Sequence, residues 1–145
     1  MQFGESATRR SRAAPRGFAK STIAALIRPI HDACYGTENF IIIFSSSQPF
    51  ANAKLKDIRN EVLNNHALVD AYGIRFERSN PGETEFVICT EDRKTMFKSI
   101  GRGVQVRGIR FGAHRPSKLI FDDVERSDDV LNEELREKDH NWFTE

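Results

Sequence analysis

The chain is poor in the residues that would signal a metal centre, a disulfide scaffold or a membrane anchor. Its only cysteines are Cys34 and Cys89, too few and too far apart for a zinc motif or a disulfide framework. The histidines His31, His66, His114 and His140 show no ligand spacing. All six read as structural, and free thiols suit a reducing compartment. No apolar run approaches the ~20 residues that a membrane-spanning helix needs, and the N-terminus lacks the apolar centre of a secretory signal. A soluble, intracellular protein without a membrane partner is therefore expected. Internal repeats and low-complexity tracts are absent too. A large charge excess is also missing, since the formal net charge is +1, which makes no global case for nucleic acid. What remains is an ordinary globular composition, 39% hydrophobic and 30% charged in 145 residues, enough for one domain with one core.

Against that plain background two short stretches carry chemistry. The first is Arg16-Gly17-Phe18-Ala19-Lys20-Ser21-Thr22. A triphosphate is cradled by backbone N–H groups at the start of a helix, where unpaired amides and the positive end of the macrodipole face the anion. Gly17 and Ala19 are small enough for close approach, Lys20 can reach the β and γ phosphates, and the Ser21 hydroxyl can ligate Mg²⁺. The pattern G-x-x-x-x-G-K-[ST] is not met in full, because Ala14 and Ala19 stand at the glycine positions; the alternative is a basic turn capped by Ser21 before an amphipathic helix. The second stretch is Lys118-Leu119-Ile120-Phe121-Asp122-Asp123-Val124-Glu125. An apolar strand that ends in acids must release them at its carboxyl end, where open α/β sheets bind ligands. Asp122 is placed to hold Mg²⁺ with Ser21, and Asp123 or Glu125 to orient the attacking water. Strand alternation puts Asp123 and Glu125 on one side and Asp122 on the other.

The remaining elements fit an α/β chain. Residues 1–13 are polar and basic and are expected to be poorly ordered. Ile23, Leu26, Ile27 and Ile30 follow helical spacing after the loop, with Pro29 set to kink or shorten that helix. Phe40-Ile41-Ile42-Ile43-Phe44 is the strongest strand and should be central. A helix over about residues 50–65 places Leu55, Ile58, Val62 and Leu63 on one face and Lys54, Lys56, Arg59 and Glu61 toward solvent. Residues 85–90 read as a strand, and residues 95–100 pair with it as a hairpin. Every charged side chain from Arg93 to Lys118 is basic, a stretch able to meet phosphates of nucleotide or DNA. Its glycines Gly101, Gly103, Gly108 and Gly112 punctuate strand and loop that wrap toward the site. A charged helix over residues 128–140 and a packed Trp142-Phe143 pair close the chain.

In this order the pieces resemble the ATPase region of a bacteriophage terminase large subunit, the motor that pumps DNA into a procapsid. Pro15 to Thr22 is similar to the family's deviant phosphate loop, in which an arginine stands four residues before the lysine. Phe40 to Ser47 with the helix after it and Asn64-Asn65-His66-Ala67-Leu68 resembles its second strand-helix unit. Val106-Arg107-Gly108-Ile109-Arg110 is similar to the glycine-arginine segment before its acidic strand. Ile120 to Glu125 resembles that strand. The resemblance spans residues 14–143. It implies a phosphate-loop NTPase-like fold for residues 14–145: α/β, a mainly parallel sheet flanked by helices, with an additional β-hairpin. It further implies ATP and Mg²⁺ as cofactors, Arg16, Gly17, Phe18, Ala19, Lys20, Ser21 and Thr22 around the phosphates, and Ser21 with Asp122 at the metal. Arg16 would act as a finger supplied by the same chain beside the γ phosphate, and Asp123, with Glu125 as rival, as the acid that activates water. Partners would be double-stranded DNA, a small terminase subunit, a portal protein and further copies of the chain, in the cytoplasm of a bacterial host. The family's Ser/Thr-Gly-Thr coupling turn and its nuclease domain are not recognisable, so the expected form is a truncated motor. Two other readings stand beside it: a prophage remnant or interaction module that keeps the fold without turnover, and a helicase-like phosphate-loop ATPase.

Overall fold

A computed structural model describes residues 10, 11, 13, 15, 17–105 and 108–124. Arg16, Glu125, the helix expected over 128–140 and the Trp142-Phe143 pair lie outside the described residues, as do Val106 and Arg107. The chain is α/β. In order it forms α1 (Lys20–Thr22), a π-helical turn (Ile23–Ile27), α2 (Arg28–Tyr35), β1 (Phe40–Ser45), α3 (Gln48–Asn64), α4 (His66–Tyr72), β2 (Arg75–Phe76), β3 (Glu85–Cys89), β4 (Lys94–Gly101) and β5 (Lys118–Phe121). None of its described helices is long and apolar enough to cross a membrane.

The five strands form one sheet in the order β2-β3-β4-β1-β5. β1 runs parallel to both β4 and β5, whereas β2 with β3 and β3 with β4 are antiparallel. The sheet is therefore mixed rather than mainly parallel. The hairpin expected to be an addition is part of the sheet itself, and β4 serves both as its second arm and as the parallel neighbour of β1. β1 is buried along its whole length, as its unbroken β-branched and aromatic run requires.

Alternation along β1 divides the core. Ile41 and Ile43 face the helices and pack with Phe97, Leu55, Ile58 and Ala33. Phe40, Ile42 and Phe44 face the opposite way, toward Ile100, Ile109, Phe111 and Val124. The glycine-rich basic segment thus lies over the second face. Among its described residues between β4 and β5, the one β pairing is the isolated bridge Phe111–His114.

Two expectations about helix faces need correction. Pro29 lacks the N–H that would bond to the preceding turn, and its ring crowds the carbonyl there; the wide turn Ile23–Ile27 comes immediately before it, and the helix continues to Tyr35 without a break. That extra residue rotates the face. Ile30 is buried and Leu26 packs against the core as the spacing predicts, but Ile23 and Ile27 are 42% and 56% exposed, and Ala25, Pro29 and Ala33 point inward in their place. In α3 the buried row is Ala51, Leu55, Ile58 and Val62, with Leu63 exposed. The helix also begins earlier than expected, at Gln48, with Ser47 as its cap accepting from the Phe50 N–H, because Pro49 can occupy the first turn without loss of a hydrogen bond.

Candidate nucleotide site

The loop before α1 turns on two left-handed residues. Gly17 has φ of 87° and Ala19 φ of 51°. A glycine takes this conformation freely, whereas an alanine is strained by roughly 1 kcal/mol. The alanine that breaks the motif at the sequence level thus holds a glycine-like backbone. Ala19→Gly should accordingly leave stability unchanged or raise it by up to ~1 kcal/mol, the reverse of the ~1 kcal/mol cost of the same exchange inside a helix. Urea unfolding of both chains measures this, and a clear loss would contradict the assigned strain.

The helix opens directly after that turn, with the Ile23 N–H bonded to the Ala19 carbonyl at 2.9 Å. Amides ahead of it have no partner inside the helix. Gly17, Phe18, Ala19 and Lys20 are exposed, Thr22 is exposed, and Ser21 is half-buried. The Ser21 Oγ donates to Asp122 Oδ1 at 2.9 Å across 101 positions of sequence. The hydroxyl at the helix start and the acid at the strand end are brought together.

Asp122 reaches this position because β5 is extended past its last ladder residue. The Asp122 N–H donates to the Phe44 carbonyl and the Ser46 N–H donates to the Asp123 carbonyl, both at 3.1 Å. Asp123, however, has φ of 49°, so the backbone turns there and the strand alternation expected between Asp122 and Asp123 does not hold; Glu125 lies outside the described residues. The Asp123 side chain is exposed, and among the described residues no hydrogen bond or ion pair joins it to the Ser21–Asp122 pair.

A third side chain enters from α3. Lys54 Nζ lies 2.7 Å from Asp122 Oδ2, with side-chain exposures of 25% and 12% for the two residues. Oδ2 is buried, and this ion pair is its contact among the described residues. This is a correction, since helical spacing placed Lys54 toward solvent. Ser21, Thr22, Ala25, Leu26, Lys54 and Asp57 line a cavity of about 110 Å³ between the loop helix and α3. Sequence spacing gave no signal for Lys54 or Asp57. A lysine and an aspartate on a helical surface are ordinary until the neighbouring strand is known.

The donor set can be tested against Mg²⁺. Among the described residues no group of three or more His, Cys, Asp and Glu could hold a metal ion. Mg²⁺ does not need one, because it is commonly bound through one or two carboxylates, with phosphate oxygens and water completing its shell. One buried carboxylate oxygen, with a hydroxyl beside it, fits that mode.

No protein-family model, curated protein or solved structure matches the chain. The site therefore stands on its own geometry.

The basic stretch is partly consumed by the fold. Arg93 donates to the Gly36 carbonyl, Lys94 pairs with Glu77 and Lys98 with Glu85 across the strands, and Lys118 pairs with the fully buried Asp32. The hydrogen bond from Lys94, with its charge, holds the Glu77 carboxyl below the usual carboxylate range. Arg110 and Arg115 are exposed. Cys34 is half-buried, and burial pushes its thiol up, away from the low range of a reactive cysteine.

Proposed function

We propose that this chain is the ATP-binding core of a terminase-type DNA-packaging motor. The observation that carries the nucleotide part is the 2.9 Å hydrogen bond from Ser21 to Asp122, because a phosphate-loop hydroxyl and a strand-end acid serve one metal only when they meet. The assignment to terminases rests on the ordered set of segments from the loop to the acids. In this reading the amides of the loop and Lys20 bind the phosphates, and Ser21 and Asp122 hold Mg²⁺. Arg16 would offset charge on the transferring phosphoryl group. Asp123 or Glu125 would accept the proton of the attacking water. Mg²⁺, when bound, would neutralise the charge developing on the β and γ phosphate oxygens. Double-stranded DNA, a small terminase subunit, a portal protein and further copies of the chain are the partners this function calls for, in a bacterial host's cytoplasm.

A second reading, nucleotide binding without turnover, is favoured by the exposed Asp123 carboxylate, which among the described residues has no hydrogen bond or ion pair to the Ser21–Asp122 pair. The two part company in one experiment. Titration of the purified chain with a fluorescent ATP analogue should show binding that strengthens when Mg²⁺ is added, and single-turnover hydrolysis then separates motor core from remnant. Absence of binding, or binding indifferent to Mg²⁺, would remove both.

A further inference from the structure

Lys54 has no part in the nucleotide reading, yet its side chain leaves the surface of α3 and enters the site. It lies between the exposed Ala53 and the fully buried Leu55, and its ammonium sits 2.7 Å from Asp122 Oδ2. The other oxygen of that carboxylate accepts from Ser21. Oδ2 is thus the atom left for a cation, and Lys54 is already against it.

We propose that Lys54 is a tethered counter-ion of Asp122, one that competes with the divalent metal for Oδ2 and so sets the metal affinity of the site; the inference rests on the Mg²⁺-ATP reading. Two arguments support it. An ammonium and a divalent ion on one carboxylate oxygen repel strongly where water is partly excluded, so each must leave for the other to bind. Lys54 has somewhere to go, because Asp57 lies one turn further along α3 and lines the same cavity of about 110 Å³ with Ser21 and Thr22. At i, i+3 spacing that carboxylate is within reach of the lysine on the helix surface. Metal then replaces ammonium at Asp122, and the Asp57 carboxylate offsets the charge of the displaced ammonium.

The test is a titration of the purified chain with Mn²⁺ in the presence of ADP, read by the electron paramagnetic resonance of free Mn²⁺. Lys54→Met should tighten the apparent Mn²⁺ affinity of the chain by about tenfold, or ~1.4 kcal/mol. Lys56→Met removes the same charge from the exposed side of the same helix and should change it by less than about twofold, since screening weakens a distant surface charge. Lys54→Gln, whose amide can still donate to Oδ2, is the second variant if the methionine chain does not fold, with tightening in the same direction. Unchanged or weakened affinity in the Lys54 variants, or equal tightening in Lys56→Met, overturns the tether while leaving the nucleotide reading in place. If the unaltered chain adds nothing to the Mn²⁺ binding of ADP itself, the nucleotide reading fails and takes the tether with it.

Discussion

Lys20→Ala should weaken the affinity of the chain for ATP by about 10- to 100-fold while leaving its unfolding transition in place. The magnitude follows from charge-assisted hydrogen bonds to phosphate, each of which contributes roughly 1.5–3 kcal/mol. Lys20 is exposed at the first residue of α1, directly after the left-handed Ala19. Truncation removes little packing there. The N-terminal amides and Ser21 remain, so residual binding is expected rather than none. Isothermal titration of both chains, with thermal unfolding as the control, decides the matter. Equal affinity with a folded variant would dismiss the loop as a phosphate site and return Ser21 to the role of a helix residue hydrogen-bonded to a strand.

The largest effect on stability is expected from Gly101→Ala, at roughly 3 kcal/mol, the upper end of the range for overpacking. A Cβ at this position would lie 2.2 Å from the Gln48 nitrogen and 2.7 Å from Gln48 Cα and the Ser47 carbonyl carbon. These are backbone atoms, and no flexible side chain can move aside. Both sides are also pinned. The Gly101 N–H donates to Gln48 Oε1 at 2.8 Å, and the Arg102 N–H donates to the Ser45 carbonyl at 3.0 Å. The Gln48 side-chain amide also bonds Asn52 and the Ser99 carbonyl. Relief therefore requires α3 to shift against β4, and α3 carries Lys54 to Asp122. Under the tether proposed above, stability should fall while metal affinity rises, as Lys54 is drawn away from Asp122. Urea unfolding measures the first, and a loss below about 1 kcal/mol would show that the helix start yields more easily than this geometry allows. Gly73→Ala is the comparison: its φ is also positive, at 60°, but nothing lies within 4 Å, so only the backbone cost of roughly 1 kcal/mol applies.

Features encoded by contiguous residues were legible without coordinates. β1 announces itself because an unbroken apolar, β-branched run has one stable place, the middle of a sheet. The β3–β4 hairpin follows from two strand-like runs with a short polar connection. The partnership of Ser21 with Asp122 was inferred from chemistry rather than spacing, as a hydroxyl at a helix start and an acid at a strand end suit the same ion. Legibility failed where a side chain's environment depends on a remote element. Ile23 and Ile27 match the helical period, yet a wide turn ahead of Pro29 rotates them to the surface. Lys54 stands three residues after buried Ala51 and four before buried Ile58, on the border of the apolar row, and the acid at the end of β5 draws its ammonium inward. α4 and β2 are too short for periodicity to register.

Residue order alone therefore determined the α/β class, the interior place of β1 between two neighbours, and the order of loop before helix and strand before acids. These depend on local sterics and on where apolar runs begin and end. The tertiary structure decided that the sheet is mixed, that the helices gather against one of its faces among the described residues, and that Asp123 turns away from the path of β5. It also decided that Asp122 is shared between Ser21 and Lys54. The reason is electrostatic as much as geometric: a half-buried carboxylate draws in whichever cation and donor the packing brings near, and which ones those are is fixed by the crossing of α3 over β1 and β4, a contact between segments that are far apart in sequence.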